Sequence, residues 1–64
     1  MSGAPMHVGQ RIELTAAISA LGTTAHPGDQ GVIREVHVSG HLTVRMDNGR
    51  VQFPTLDEVV PAAE

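Results

Sequence analysis

The chain has no cysteine, lysine, tryptophan or tyrosine, and it has a single phenylalanine. Without cysteine, disulfides cannot stabilise the fold. Without lysine, and with a net charge of −3, the chain has no generic attraction for a nucleic-acid backbone or an anionic membrane. No apolar run approaches the roughly 20 residues that span a bilayer, which argues against a transmembrane helix.

The length of 64 residues allows one domain, and so short a chain buries only about 60% of the surface exposed when unfolded. Self-association often stabilises domains of this size, so we expect a homo-oligomer or another protein partner. Residues 1–5 lack the basic flank and apolar segment of a signal peptide, which predicts a soluble, cytoplasmic protein. We expect a disordered N-terminal tail at residues 1–6, one domain at 7–60 and a C-terminal tail at 61–64.

The dipeptide Asn48-Gly49 lies between two stretches of alternating apolar residues. It predicts a two-residue type I′ hairpin turn, because both central residues of that turn need positive φ. The resulting register puts the apolar partners on the inner face and leaves Arg45 and Gln52 in solvent. The expected pairs are Asp47 with Arg50, Met46 with Val51, Arg45 with Gln52, and Val44 with Phe53.

A long connection precedes this hairpin, at residues 15–29. Leu14, Ile18 and Leu21 recur within it at helical spacing, which predicts a short helix. Pro27-Gly28 then predicts a turn, and Gly31 stands at the start of a strand over residues 32–38.

A second hairpin follows, with a three-residue loop at 39–41 that places Gly40 in the left-handed region. Because Ile33 lies an odd number of residues from Val36, either a bulge falls between them or Val32 points inward. The expected pairs are Val38 with Leu42, Val36 with Val44, and Glu35 with Arg45.

With a first strand at 8–14 and a last one at Val59-Val60 after a 3₁₀ turn, the chain has five short strands. This pattern predicts an all-β, five-stranded SH3-like barrel, since closing the sheet protects edges that so small a domain cannot cover with helices. The predicted core is Ile12, Leu14, Val32 or Ile33, Val36, Val38, Leu42, Val44, Met46, Val51, Phe53, Leu56 and Val59.

Four stretches form a family pattern: Gly9–Leu14, Pro27–Ile33, Leu42–Gly49 and Asp57–Val59. They resemble small bacterial SH3-like domains with a KOW-type glycine motif. The resemblance implies the barrel fold but no single function, because such barrels host unrelated roles. Met46 replaces the tryptophan that is usual in the family's hairpin, which weakens any stacking role there.

Val51-Gln52-Phe53 also resembles the "VQIY" strand of plasmid-encoded type II dihydrofolate reductases, whose tetramer encloses an active-site pore. That resemblance implies that Gln52 binds folate and nicotinamide. Pro54 stands where the tyrosine should be, and the register above points Gln52 away from the barrel. The reductase is therefore the second alternative.

Neither a metal site nor a catalytic site is predicted, and we expect no cofactor. His37 and His41 lie in a strand and a turn, where their four-residue spacing does not bring two imidazoles together, and His26 with Asp29 supplies too few ligands. Asp57 and Glu58 are adjacent at the entrance to a strand, where acidic residues are typical of a turn and do not indicate a catalytic carboxylate pair.

Binding of proline-rich peptides is excluded by composition, since such grooves are built from several aromatic rings. Nucleic-acid binding is the first alternative function, with Arg34, Arg45 and Arg50 as candidate phosphate contacts. The competing interpretation is that these arginines solubilise the outer face and pair with nearby acids.

We predict a non-enzymatic interaction module that acts through contacts with another protein or with itself. The segment 16–21 is richer in Ala, Ile and Leu than a solvated loop needs to be. Ile18 and Leu21 are the candidate contact residues, unless the loop folds over the barrel mouth and buries both.

Overall fold

Seven strands and one short 3₁₀ helix make up the computed structural model, which describes residues 6–62. The 3₁₀ helix, Leu56–Glu58, directly precedes the last strand, as predicted. The strands are β1 (Arg11–Leu14), β2 (Ile18–Ala20), β3 (Thr23–Ala25), β4 (Gln30–Val36), β5 (Leu42–Met46), β6 (Val51–Gln52) and β7 (Val59–Pro61).

Five of these strands form one antiparallel sheet in the order β6-β5-β4-β1-β7, and β2 pairs with β3 in a separate hairpin. The all-β prediction is confirmed, although the two sheets do not close on each other. The last strand, β7, pairs with the first strand, β1, through Leu14 opposite Val59 and Glu13 opposite Val60. The first and last strands of the chain are therefore neighbours in the sheet.

The helix predicted around Ile18 and Leu21 is wrong, because that segment forms the β2–β3 hairpin. Leu21 and Gly22 make its two-residue turn, with φ of 54° and 77°. Positive φ at both positions is the requirement of a type I′ turn. Ile18 pairs with Ala25. The two strands have three residues each and only one side of the hairpin is covered, so the sequence shows little alternation of apolar and polar residues here.

The turn between β5 and β6 is one residue longer than predicted, so the type I′ prediction is wrong. Met46 O accepts a hydrogen bond from Gly49 N at 2.9 Å, and Met46 N donates to Arg50 O at 2.7 Å. Gly49 has a φ of 87°, while Asn48 does not have positive φ. This is a three-residue loop with a glycine bulge, which shifts the register by one residue and reverses the faces of β6. The observed pairs are Arg45 with Val51 and Val44 with Gln52.

The β4–β5 hairpin repeats this turn. His37 N donates to His41 O at 2.9 Å, His37 O accepts from Gly40 N at 3.0 Å, and Gly40 has a φ of 95°. The left-handed Gly40 is as predicted, but the loop is 38–40 rather than 39–41. The bulge that the sequence allowed falls between Ile33 and Glu35, and Ile33 takes the inward position. The predicted pairs are wrong here, since Val36 lies opposite Leu42 and Glu35 opposite Thr43.

The core lies between the inner face of the large sheet and the β2–β3 hairpin. Its buried apolar residues are Ile12, Leu14, Ala25, Ile33, Leu42, Val44, Met46 and Val59. Seven of these were predicted, and Ala25 was not, because the hairpin that carries it was read as a loop. Four predicted core residues are exposed instead, namely Val36, Val38, Phe53 and Leu56, and Val51 is half-buried.

The turn at Pro27-Gly28 is formed as predicted: Gly28 has a φ of 96°, and Asp29 N donates to His26 O at 3.0 Å. The predicted domain limits remain predictions, and residues 1–5 and 63–64 of the tails lie outside the described residues. Met6 packs against the core and Pro61 belongs to β7. Each predicted tail therefore contains one residue that is part of the folded structure.

Candidate functional site

The outer face of β4, β5 and β6 carries two arginines among apolar side chains. Side chains alternate along β5, so Leu42, Val44 and Met46 point into the core and Thr43 and Arg45 point outward. The cross-strand register adds residues from β4 and β6 to the same face. We call this surface the arginine face, and it consists of Val32, Arg34, Glu35, Thr43, Arg45, Val51 and Phe53.

The register places each member of the arginine face. Arg45 lies between Val32 on one side and Val51 on the other. Leu42 N donates to Pro54 O at 2.8 Å, so the pairing continues past β6 and sets Phe53 opposite Thr43. Phe53 is 43% exposed there, although the sequence predicted it in the core.

Two adjoining grooves cross the arginine face. One, of about 400 Å³, is lined by Val32, Arg34, Arg45, Met46 and Asp47. The other, of about 310 Å³, is lined by Arg34, Glu35, Thr43 and Val51. Arg34 stands on the bulge of β4 and lines both grooves, because the extra residue there turns its side chain toward the outer face. The structure thus brings together two of the three arginines that the sequence singled out.

Neither Arg34 nor Arg45 has a carboxylate within 4.0 Å among residues 6–62. The two acids that line the grooves have other contacts. Asp47 accepts from the Arg11 guanidinium at 2.6 Å, and the Glu35 carboxylate lies 3.7 Å from His37 Nε2. The predicted pairing of Glu35 with Arg45 is therefore wrong, and two exposed guanidinium groups remain available on this face.

Arg50, the third arginine, does not line either groove. It precedes Val51 in the chain, and alternation directs its side chain away from the arginine face. Its backbone N–H donates to Asn48 Oδ1 at 2.8 Å, which closes the turn.

The two apolar residues predicted as a contact surface are separated by the β2–β3 hairpin. Ile18 is half-buried and packs against the core. Leu21 lies at the tip of the hairpin and is 79% exposed. Of the pair, only Leu21 is freely available to a partner.

Gln52 is the functional candidate whose environment the sequence reasoning missed, because the predicted register pointed it into solvent. The residue is fully buried. Its Nε2 donates to Thr23 O at 3.1 Å, so the side chain links β6 to β3, and its Oε1 has no partner among the described residues. A three-residue loop at Asp47-Asn48-Gly49, read as a glycine bulge instead of a type I′ turn, would have found it.

The histidines and the adjacent acids have structural contacts. His37 Nε2 lies 2.8 Å from Thr43 Oγ1, and Asp29 Oδ2 accepts from His26 N at 3.0 Å. The Glu58 carboxylate accepts from Thr55 N at 2.9 Å, which caps the 3₁₀ helix. Within residues 6–62 no three side chains of His, Asp or Glu are grouped closely enough to hold a metal ion.

The described part of the chain has no helix that is long and apolar enough to cross a membrane. Comparison of the sequence and structure with protein families, curated proteins and solved structures finds no match.

Proposed function

We propose that the protein is a non-enzymatic, SH3-like interaction module that binds another protein through the arginine face. The strand order β6-β5-β4-β1-β7 supports the SH3-like part of the proposal. It combines a three-stranded meander, a last strand that returns beside the first, and a 3₁₀ turn before that last strand, as the five-stranded barrel requires. The β2–β3 hairpin occupies the place of the long first loop.

The observation that carries the proposed function is the composition of the arginine face. Aromatic residues and arginine are enriched where proteins bind each other, whereas lysine, glutamate and aspartate are depleted. Phe53, Val51, Arg34 and Arg45 reproduce the aromatic and arginine part of that composition on one sheet face, and Glu35 and Asp47 are the acids that line its grooves. Such exposure of apolar side chains beside free guanidinium groups favours a protein partner.

Nucleic-acid binding is the second candidate, favoured by the shared groove of Arg34 and Arg45. Only two cations line that groove, Asp47 stands at its rim, and the chain carries a net charge of −3. A phosphate backbone is attracted by several cations acting together, so this surface supports nucleic-acid binding less well.

The reductase alternative has less support from the geometry. An amide that binds folate in a pore between subunits has to face that pore. Gln52 instead lies inside one chain, bonded to Thr23 of the same chain.

A displayed library of random peptides, selected on the immobilised full chain, tests the proposed function. We expect binding peptides whose NMR chemical-shift changes centre on Val51 and Phe53. Phe53→Ser should weaken their binding about tenfold, since an aromatic anchor at an interface contributes more than 1 kcal/mol. Leu56→Ser is the matched control, because Leu56 is 44% exposed and lies outside the arginine face, and it should leave binding within about twofold.

Four outcomes, from this experiment and from sedimentation and oligonucleotide binding, would redirect or end the proposal. Shifts centred on Leu21, abolished by replacing Ile18 and Leu21 with Ser in a chain that still folds, would move the contact to the hairpin. A dimer in sedimentation would favour self-association, and a tetramer would favour the reductase alternative. Selection of no peptide, together with binding of an oligonucleotide at low salt, would replace the module with a nucleic-acid binder.

A further inference from the structure

We propose that the partner segment recognised by the arginine face is acidic: an extended peptide in which carboxylates alternate with apolar side chains. This inference rests on the proposed function and adds the chemistry of the partner. It follows from the two guanidinium groups without a carboxylate partner among residues 6–62, from the apolar side chains of the arginine face and from the acids that line its grooves.

The two guanidinium groups favour a partner that carries anionic groups. Arginine forms planar, paired hydrogen bonds with carboxylates, and such charge-assisted bonds are about twice as strong as neutral ones. Among residues 6–62, Asp47 is bonded to Arg11 at 2.6 Å, Glu35 lies 3.7 Å from His37 Nε2, and neither carboxylate pairs with Arg34 or Arg45. A bound segment with two carboxylates would supply partners for both arginines.

The surface around the arginines calls for apolar side chains in the same segment. Val32 lines the groove beside Arg45, and Val51 lines the groove beside Arg34. Phe53 extends the apolar surface past Thr43. Because the two grooves adjoin through Arg34, a peptide that crosses both alternates between a guanidinium group and an apolar patch.

The acids that line the two grooves favour binding of a short acidic peptide over binding of a polyanion. Asp47 and Glu35 each line one groove, and they repel a chain of continuous phosphates on either side of the arginines. A peptide carries its carboxylates only at some positions, so it avoids both acids while it reaches both arginines.

Fluorescence anisotropy with three labelled probes tests this inference on the full chain. The probes are a short peptide alternating Glu and Leu, the same peptide with Gln in place of Glu, and a single-stranded DNA oligonucleotide of similar length. We expect the Glu peptide to bind at least about tenfold more tightly than the Gln peptide, with an advantage that decreases as salt is added.

A charge-matched set of three variants locates the effect. Arg34→Gln and Arg45→Gln should each reduce binding of the Glu peptide by about tenfold, whereas Arg50→Gln, which removes the same charge outside the grooves, should change it by less than about twofold. All three arginines are exposed, so the variants are expected to fold, and a ¹H–¹⁵N spectrum checks this.

Several results would overturn the inference. Equal binding of the Glu and Gln peptides would remove the acidic preference, and an equal loss in Arg50→Gln would show only long-range attraction. Tighter binding of the oligonucleotide would assign the face to nucleic acid. If library peptides bind the arginine face without enrichment of Asp or Glu, the inference fails while the proposed function stands; if no peptide binds at all, the proposed function fails as well.

Discussion

Gly31 shows most directly how one residue positions the rest of the sheet. The sequence placed it at the start of a strand, and it is buried as the second residue of β4 without positive φ. A Cβ atom there would lie 2.6 Å from Arg45 O and 2.8 Å from Val44 Cγ1. The side chain is absent because β5 approaches closely at this point, which is the usual reason for glycine inside a strand.

Replacing Gly31 with Ala should therefore destabilise the protein through a steric clash. We expect a loss of about 2–3 kcal/mol in the free energy of unfolding, measured by urea denaturation, because backbone atoms cannot move aside easily. Gly28→Ala is the control: nothing lies within 4 Å of its added Cβ, but φ is 96°. It should lose about 1 kcal/mol from backbone strain alone. A smaller loss for Gly31→Ala than for Gly28→Ala would contradict the close approach.

Gln52 is a buried amide with one half satisfied. Its Nε2 bonds to Thr23 O, and its Oε1 has no partner in the part of the chain that the structure describes. An unpaired buried acceptor costs about 1–3 kcal/mol, which is comparable to what the single hydrogen bond contributes. The hydrogen bond between β6 and β3 therefore orients the Gln52 side chain but contributes little to the net free energy of folding.

Gln52→Met should leave the free energy of unfolding within about 1 kcal/mol of the parent value, because it removes the unpaired oxygen together with the hydrogen bond. Gln52→Glu should lower it by about 3 kcal/mol or more at neutral pH, since a buried carboxylate would face the Thr23 carbonyl. Acidification should reduce this penalty, because a protonated carboxyl can donate to Thr23 O. Thermal unfolding of both variants and the parent at matched pH values measures this, and a stable Gln52→Glu variant at neutral pH would place the side chain in solvent.

At the scale of elements, the two glycine-bulge turns determine what β6 presents. In both turns the carbonyl of the first residue accepts a hydrogen bond from the N–H of the fourth residue, which is a glycine with positive φ. An Asn-Gly pair is compatible with this turn as well as with type I′, since both accept glycine at positive φ. The choice shifts the register by one residue, and that shift puts Phe53 on the arginine face and Gln52 in the core.

The β2–β3 hairpin is expected to open more easily than the large sheet. It has two strands of three residues, and its attachment consists of the Gln52 hydrogen bond and the packing of Ile18 and Ala25. Amide hydrogen exchange should therefore be faster for the cross-strand amides of β2 and β3 than for those of β4 and β5, because opening the hairpin exposes little apolar surface. Equal protection in the two sheets would indicate that the hairpin unfolds only with the whole domain.

At the scale of the whole molecule, eight buried apolar side chains form the core of the described residues. A core of this size supplies about 3–5 kcal/mol of net stability. We expect one cooperative urea transition with a free energy of unfolding in that range. If the arginine face binds another protein and not a second copy, the thermal midpoint should not depend on protein concentration; a midpoint that rises with concentration would indicate self-association.

The predictable part of the fold rested on strong local signals. Ile12 and Leu14 alternate with Arg11 and Glu13, and Leu42, Val44 and Met46 alternate along β5, so their inward faces followed from period 2 alone. The odd spacing of Ile33 and Val36 predicted either a bulge between them or an inward Val32, and the structure has the bulge. Residues 18–25 gave no such signal, because three-residue strands with one covered side are too short to show a period.

The candidate site was only half predictable. Arg34 and Arg45 were named from the sequence, but their separation from Arg50 depends on the bulge in β4 and on the register of β6. The apolar partners of the arginine face, Val51 and Phe53, were placed in the core by a register one residue away. No property of these side chains distinguishes the two registers, since valine and phenylalanine fit either face.

The sequence by itself determined that this is an all-β chain with glycine turns near residues 28, 40 and 49, because alternation and positive φ are local requirements. The tertiary structure alone decided which face of β6 is buried and how the segment around Ile18 folds. A single extra loop residue reverses the side chains of β6, and an Asn-Gly pair fits both loop lengths, so the local sequence does not choose between the two registers.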